Sequence, residues 1–342
     1  MNTQKAQPRL YSSKESLLAL KAHLSAKNAK LPKSPTIEDY ITYIKKLSNR
    51  LKQGPLDFWI PNVYRRVIQV IRLMSSEDGF VQNKDKEKNF KALGLTIQRS
   101  SSRSKTTIET GAETGSNAIQ QYVILPAIDQ VLEEMESHSD DINTFASTHF
   151  FTNEVLLVYE YSTTVLNFLL SAKKTRNFEI IVLESETENL GKQFATDLGK
   201  HQLNVTLTPF TNAYAIMQRV NKILLGVDAI LKNGGLLMHP GTYAICVLAK
   251  QFAVPVIVLS GAHKLTPKYA FDQTTFNELV SPLKINPNST IEQMSIGVFS
   301  YITFDYVPPE YISLYITNQG QYTPQSIYQL FSDFYNVKDE DI

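Results

Sequence analysis

The sequence predicts an α/β protein in two parts: an N-terminal helical domain over residues 1–147, then a doubly wound parallel sheet domain over 148–342. Three observations carry this. Apolar residues recur at steps of three and four through the first third of the chain. From Glu154 onward, short apolar runs alternate with helical segments, which implies a parallel sheet. Those runs are apolar throughout rather than alternating, as a sheet buried on both faces requires.

Ser12 to Glu15 has the form of a capping box, followed by Leu17, Leu18, Leu20 and Leu24 at near-helical spacing. Thr36 is placed to cap a second helix, which carries Ile37, Tyr40, Ile41, Ile44, Leu47 and Leu51 on one face. Pro61 suits the first position of a third helix, where its missing N–H costs nothing. That helix presents Val63, Val67, Ile68, Val70, Ile71 and Met74 and is expected to end near Gly79. Residues 82–118 are rich in Lys, Ser, Thr, Gln and Asn and are expected to form a partly disordered loop, because they bury too little to offset chain entropy. A long helix is expected from Ala118 to Phe145, with Pro126 kinking it or starting a new segment.

In the second part the strands expected are Val155–Tyr159, Ile180–Leu183, Val205–Leu207, Ile223–Leu225 and Val256–Leu259. Helices are expected over 163–174, 189–200, 211–220 and 241–252. Tyr301–Tyr306 and Tyr311–Thr317 are further strand candidates, and a last helix is expected over 324–335. The pattern is Rossmann-like.

Composition narrows the chemistry. The single cysteine, Cys246, rules out a disulfide framework, and its apolar helical neighbours make it a core thiol. No apolar run reaches the ~18 residues of a membrane helix, and residues 1–30 have no signal-like apolar segment, so a cytosolic protein is expected. The net charge of +1 conceals an asymmetry. Residues 1–118 hold 21 Lys+Arg against 10 Asp+Glu, and residues 119–342 hold 13 against 23. A nucleic-acid face and a solvated helical surface both fit such a basic segment. The lack of interleaved aromatics favours the second, and no direct nucleic-acid binding is expected. Neither a dinucleotide glycine motif nor a P-loop occurs, and the six histidines are scattered, so no cofactor and no metal are expected.

One segment stands out. Asn233-Gly234-Gly235 and Pro240-Gly241-Thr242 follow the Ile223–Leu225 strand, and the second opens a helix. A helix start at the carboxyl edge of a parallel sheet suits an anion, and a turn-rich connection fits the same residues. Gly226–Thr242 with Ala249-Lys250 and Pro255–Val258 resembles the signature of the superfamily of sugar-phosphate isomerases and translation initiation factor 2B regulatory subunits. Phe304-Asp305-Tyr306-Val307-Pro308-Pro309-Glu310 is similar to its second signature. Asn153-Glu154-Val155, Ser162–Val165 and the arginine-rich Val63–Arg72 also resemble it, over roughly residues 10–340.

The resemblance implies one of two functions. The isomerases use a cysteine after the first strand and an aspartate in the loop. Here those positions match Glu160 (or Tyr159) and Gly235, and the phosphate-side segment is Met238-His239-Pro240-Gly241-Thr242. Acid and base are therefore not where aldose–ketose isomerisation needs them. The departures are most similar to the beta branch of the regulatory subunits. They imply a non-catalytic subunit of the guanine-nucleotide exchange factor for initiation factor 2, with the alpha, gamma, delta and epsilon subunits and the alpha subunit of initiation factor 2 as partners. A sugar-phosphate isomerase is the alternative. Under the first reading, Asn153, Glu154, Asn233, Gly234, Gly241, Thr242, Phe304, Asp305, Pro308, Pro309 and Glu310 are structural. Pro308-Pro309 either brace the loop or form a plain rigid connection. Glu133, Glu134 and Glu136, placed late in a helix against its dipole, form either a partner surface or a solvated acidic face.

Overall fold

The computed structural model describes residues 9–25, 36–51, 57–75, 96–98, 107–109, 120–185, 190–270, 272, 277, 279–280 and 301–339. The chain divides into two compact units, Met1–Glu136 with Ser332–Ile342, and Ser137–Phe331. The division falls inside a helix, and Ser332–Ile342 group with the first unit.

The first unit is built on α1 (Arg9–Ser25), α2 (Ile37–Leu51), α3 (Trp59–Ser75) and the start of α4 (Leu125–Asn143). Leu17, Leu20, Leu24, Tyr40, Ile41, Ile44, Val63, Val67, Ile71, Ile128 and Val131 form one buried cluster, whereas Leu18 points outward. Full burial of each large aliphatic side chain contributes about 1.5–3 kcal/mol. The helix starts differ in detail from the sequence reading. Helix α1 begins at Arg9, so Ser12 lies inside it; a cap preference of about 1 kcal/mol does not stop a helix that its upstream residues can continue. Thr36 does cap α2, its hydroxyl accepting from Asp39 N (3.3 Å) while the Asp39 carboxylate accepts from Thr36 N (2.8 Å). Pro61 lies in the first turn of α3, two residues beyond its start, where its N–H is still not needed. Before Pro126 the chain is wound as a π-helix, Gln120–Ile124, because proline cannot donate to the carbonyl one α-turn back. Of the expected loop 82–118, the described residues are β1 (Thr96–Gln98) and β2 (Thr107–Glu109), paired antiparallel. The rest lies outside the described residues, as does the expected helix end near Gly79.

The second unit holds the sheet. Its strands are β3 (Glu154–Tyr159), β4 (Phe178–Glu184), β5 (Asn204–Pro209), β6 (Lys222–Leu225), β9 (Val256–Leu259), β14 (Leu314–Thr317) and β15 (Gly320–Tyr322). Their order is β15-β14-β9-β6-β3-β4-β5, all parallel except the β15 edge. The crossovers are α6 (Thr163–Lys173), α7 (Leu190–Lys200), α8 (Ala213–Met217) and α9 (Thr242–Gln251); α5 (Ala146–His149) precedes β3 and α10 (Ile327–Phe334) follows β15. The fold is thus the expected α/β arrangement of helices with a mostly parallel sheet, and each of the five expected strands is present.

A smaller sheet was not expected. It has the order β10-β7-β8-β13, with β7 (Ala229–Leu231), β8 (Leu236–Met238), β10 (Leu265–Thr266) and β13 (Asp305–Val307). The segment read as a loop from Asn233 to Thr242 is therefore the turn and second strand of a buried hairpin, running into α9. The expected strand Tyr301–Tyr306 is split into β12 (Tyr301–Ile302), paired with β11 (Leu279–Val280), and β13. The break has a local cause. The Asn277 side chain donates to Phe304 O (2.6 Å) and accepts from Phe304 N (2.9 Å), replacing a strand partner.

Candidate functional site

The hairpin turn is held from three sides. Asn233 Oδ1 accepts from Gly235 N (3.0 Å), and Asn233 Nδ2 donates to the Tyr306 hydroxyl (3.0 Å). The Tyr315 hydroxyl donates to Gly234 O (2.7 Å). Gly235 lies against the Tyr306 ring, where an added Cβ would stand 2.6 Å from Cε2. A side chain at the position where an isomerase would carry its acid would therefore have to displace the Tyr306 ring.

β13 pairs with β8, Asp305 opposite Met238, and so carries the Asp305 carboxylate to the start of α9. Asp305 Oδ2 accepts from Gly241 N (2.8 Å) and Tyr243 N (3.1 Å). The helix N-terminus that the sequence marks as an anion site thus already holds an anion, one from the chain itself. Burial pushes the Asp305 carboxyl above its ordinary range, against the two N–H groups that pull it down. The neighbouring space is filled too. The Tyr159 hydroxyl donates to Pro240 O (2.6 Å), its ring packs on Phe210 (5.7 Å), and a Cβ at Gly241 would meet its oxygen at 2.7 Å. Thr242 Oγ1 donates to His239 O (2.7 Å). Glu160 is buried at φ 62°, a left-handed conformation that costs a non-glycine residue about 1–2 kcal/mol.

Two predictions arise here. Asp305→Ala leaves two partly buried N–H groups without their acceptor and is expected to cost about 2 kcal/mol in denaturant unfolding, whereas Asp305→Asn keeps an acceptor and costs under about 1 kcal/mol. The folded-state pKa of Asp305 is raised, so its contribution to stability is complete below the unfolded value and is lost as pH rises through the folded one. Asp305→Asn removes that part of the pH dependence. Cys246 is fully buried in α9, and burial, with Asp305 nearby, pushes its thiol up to about 12. An aromatic disulfide reagent at pH 8 is expected to leave it unmodified in the folded protein and to label it fully after unfolding. Rapid labelling of the native state would show an accessible thiol.

The remaining motif residues lie elsewhere. Asn153 (φ 65°) and Glu154 stand at the opposite end of β3 from Tyr159, with Glu154 paired to Lys222 (2.8 Å) and accepting from Phe151 N (3.0 Å). A groove of about 400 Å³ at that end is lined by Asn153, Lys173, Arg176 and Asn204 among others. Pro308 leads into a 3₁₀ turn, Pro309–Tyr311, and Glu310 is exposed, 3.6 Å from Lys250. Among the described residues, no group of three or more His, Cys, Asp or Glu side chains is placed to hold a metal, and no helix is long and apolar enough to cross a membrane.

In the first unit the acidic cluster is only partly open. Arg66 forks onto Glu134 with two bonds of 2.9 Å, and Lys14 reaches Glu136 at 2.5 Å; Glu133 is exposed. The arginine-rich helix α3 also grips the chain end. Arg72 donates to both Asp339 oxygens (3.0 and 3.2 Å), Lys45 reaches the same carboxylate (2.8 Å), and Arg65 Nε donates to Asp339 O (3.2 Å). Arg66 lies 4.0 Å from the centre of the Phe334 ring. The run of arginines was visible in the sequence, but nothing local tied Asp339 to it.

Comparison with known proteins agrees with this architecture. A chain of the tetrameric eIF2B-beta2-delta2 complex from C. thermophilum superposes with a TM-score of 0.65 at 21% identity, covering 95% of this chain and 93% of that one. The translation initiation factor eIF2B subunit beta of Schizosaccharomyces pombe is 29% identical over 343 residues, 89% of this chain and 87% of that protein. The corresponding beta subunit of Dictyostelium discoideum is 37% identical over 220 residues, which are 63% of this chain and 56% of that protein. The model of the Initiation factor 2 subunit family matches residues 13–324, and the chain belongs to that family.

Proposed function

We propose that the chain is a regulatory, non-catalytic subunit of the guanine-nucleotide exchange factor for translation initiation factor 2. On this reading it pairs with a homologous delta subunit, assembles with the alpha, gamma and epsilon subunits, and binds the alpha subunit of initiation factor 2 to sense its phosphorylation. One observation supports the non-catalytic part: Asp305 already occupies the α9 N-terminus, and the acid's position is taken by Gly235, packed against the Tyr306 ring. The names of the relatives support the assembly.

Affinity capture of the full chain at moderate salt is the direct test, with the other four subunits and initiation factor 2 expected among the retained proteins. Recovery of the chain alone would sink the assembly reading. The purified chain is expected to show no turnover of ribose 1,5-bisphosphate or methylthioribose 1-phosphate; turnover abolished by a Glu160 substitution would make it an isomerase. Glu133, Glu134 and Glu136 are proposed to face the alpha subunit of initiation factor 2. Reversing Glu134 also breaks the Arg66 fork, so the clean variant is Glu133→Lys, expected to weaken that binding at low salt several-fold while leaving the unfolding transition in place.

A further inference from the structure

Two histidines from distant parts of the sequence meet inside the α/β unit. His138 lies on α4, and His263 lies in the 3₁₀ turn Ala262–Lys264 that follows β9. Both are buried. Their rings stand edge to face, with centres 5.2 Å apart and planes at 83°. Gly261 permits the approach, since an added Cβ there would stand 2.5 Å from His263 Nδ1 and 3.3 Å from His138 Cδ2. The turn is fixed from two other sides. Ala262 N donates to Asn318 Oδ1 (2.8 Å), and Lys264 Nζ donates to Val227 O (2.6 Å). His263 is thus presented to α4 from a rigid base.

The pair is suited to two neutral rings, whose edge and face attract. Protonation makes both nitrogens of an imidazole donors. At His263, Nε2 has no hydrogen-bond partner among the described residues, so its N–H would be buried without an acceptor. The charges that act on His263 are adverse as well. His138 on α4 and Lys264 on the same turn oppose a positive charge there, and with burial they hold the His263 imidazole well below its ordinary value. The carboxylates of the surrounding elements do not offset them. On α4, Glu134 is engaged by Arg66, and Asp141 accepts from Ser137 Oγ (3.4 Å). Glu160 follows β3 and Asp228 follows β6, and neither is among the charges that act on His263.

We propose that this histidine pair is an acid-sensitive latch, which holds Ser137–Asn143 of α4 on the α/β unit at neutral pH and releases it when the pair takes up a proton. Opening returns the imidazoles to water, where a histidine titrates near pH ~6.5. The sign follows. A histidine that resists protonation while closed contributes fully to closure above about pH 6.5 and loses that contribution as pH falls below it. For one proton taken up on opening, the ratio of open to closed rises about eightfold between pH ~7.0 and ~5.5. The other contacts of this segment do not titrate and set the baseline: Ile142 lies in the core, and Asn167 Nδ2 donates to Ser139 Oγ (3.0 Å).

The test is hydrogen–deuterium exchange of the full chain between pH ~7.0 and ~5.5, corrected for the pH dependence of the chemical exchange step. Ser137–Asn143 is followed, with β3 as the internal reference. Wild type is compared with His138→Phe/His263→Phe, whose rings can keep the edge-to-face contact without titrating, and with His263→Gln. In wild type, opening of Ser137–Asn143 is expected to rise about eightfold on acidification while β3 is unchanged. The double variant is expected to stay within about twofold over the same range, and His263→Gln to respond less than wild type. A wild-type opening that stays within about twofold overturns the latch, and so does a double variant that responds like wild type. Parallel opening of β3 overturns it too, since the proton would then unfold the unit rather than release a helix. Where the double variant does not fold, His263→Gln decides alone, and a response equal to that of wild type overturns the latch.

Discussion

Asp339→Ala is expected to lower the stability of the helical unit by about 3 kcal/mol, because it removes the buried carboxylate that Arg72 and Lys45 share and leaves Arg72 with the exposed Glu38 (3.1 Å). Asp339 is 1% exposed, while Arg72 and Lys45 keep 23% and 29% of their surface, so the two cations recover part of their hydration, Arg72 keeps its pair with Glu38, and the cost stays at the lower end of what a broken buried pair shows. Burial alone would raise the Asp339 pKa, but the hydrogen bonds and charges of Arg72 and Lys45 outweigh it and hold the carboxyl below its ordinary value. The sign of the pH effect follows. A depressed carboxylate contributes stability above its unfolded pKa of about 3.9 and loses it as pH falls through the lower folded value. Urea unfolding followed at pH 7 and again below pH 4 should therefore show a wide gap between wild type and Asp339→Ala that narrows on acidification. A gap that persists unchanged in acid would mean that Asp339 acts by packing rather than by charge.

The second large effect is expected at Gly234. Its φ of 80° is left-handed, and an added Cβ would stand 2.3 Å from Pro324 O, a backbone atom that cannot swing aside. Left-handed strain costs a residue with a side chain about 1–2 kcal/mol and overpacking a further 1–3 kcal/mol, so Gly234→Ala should cost about 3 kcal/mol. It should also break the Tyr315 hydroxyl bond to Gly234 O and loosen the hairpin. Gly199 supplies the internal comparison. It lies near the end of α7 with nothing within 4 Å of an added Cβ, and Gly199→Ala should gain up to about 1 kcal/mol from helix propensity. Thermal unfolding of the two variants in parallel separates conformational strain from a general dislike of glycine replacement. Equal midpoints would rule out strain at Gly234.

The elements that could be read from the sequence were long or strongly periodic. Helix α2 buries one stripe, the apolar residues of α3 recur at helical spacing although its first half is buried on every face, and β3, β4 and β9 are runs rich in Val, Ile and Leu that suit a doubly covered sheet. The small sheet escaped because β7, β8 and β13 are three residues each, too short for a period to register, and are flanked by turn residues that read as loop. The acidic cluster was visible as composition, but the engagement of Glu134 and Glu136 by Arg66 and Lys14 was not, since the partners come from other helices.

The sequence by itself determined the two-part α/β architecture, the Cys246 core position and the family signatures, because each is a property of neighbouring residues. Only the tertiary structure decided what the signatures do. Asp305 reaches the α9 N-terminus from 62 residues beyond Tyr243, and Asp339 reaches Arg72 across 267 residues. Charges brought together by the fold leave no local trace in the chain, since what selects them is the low-dielectric place where they meet rather than the residues beside them.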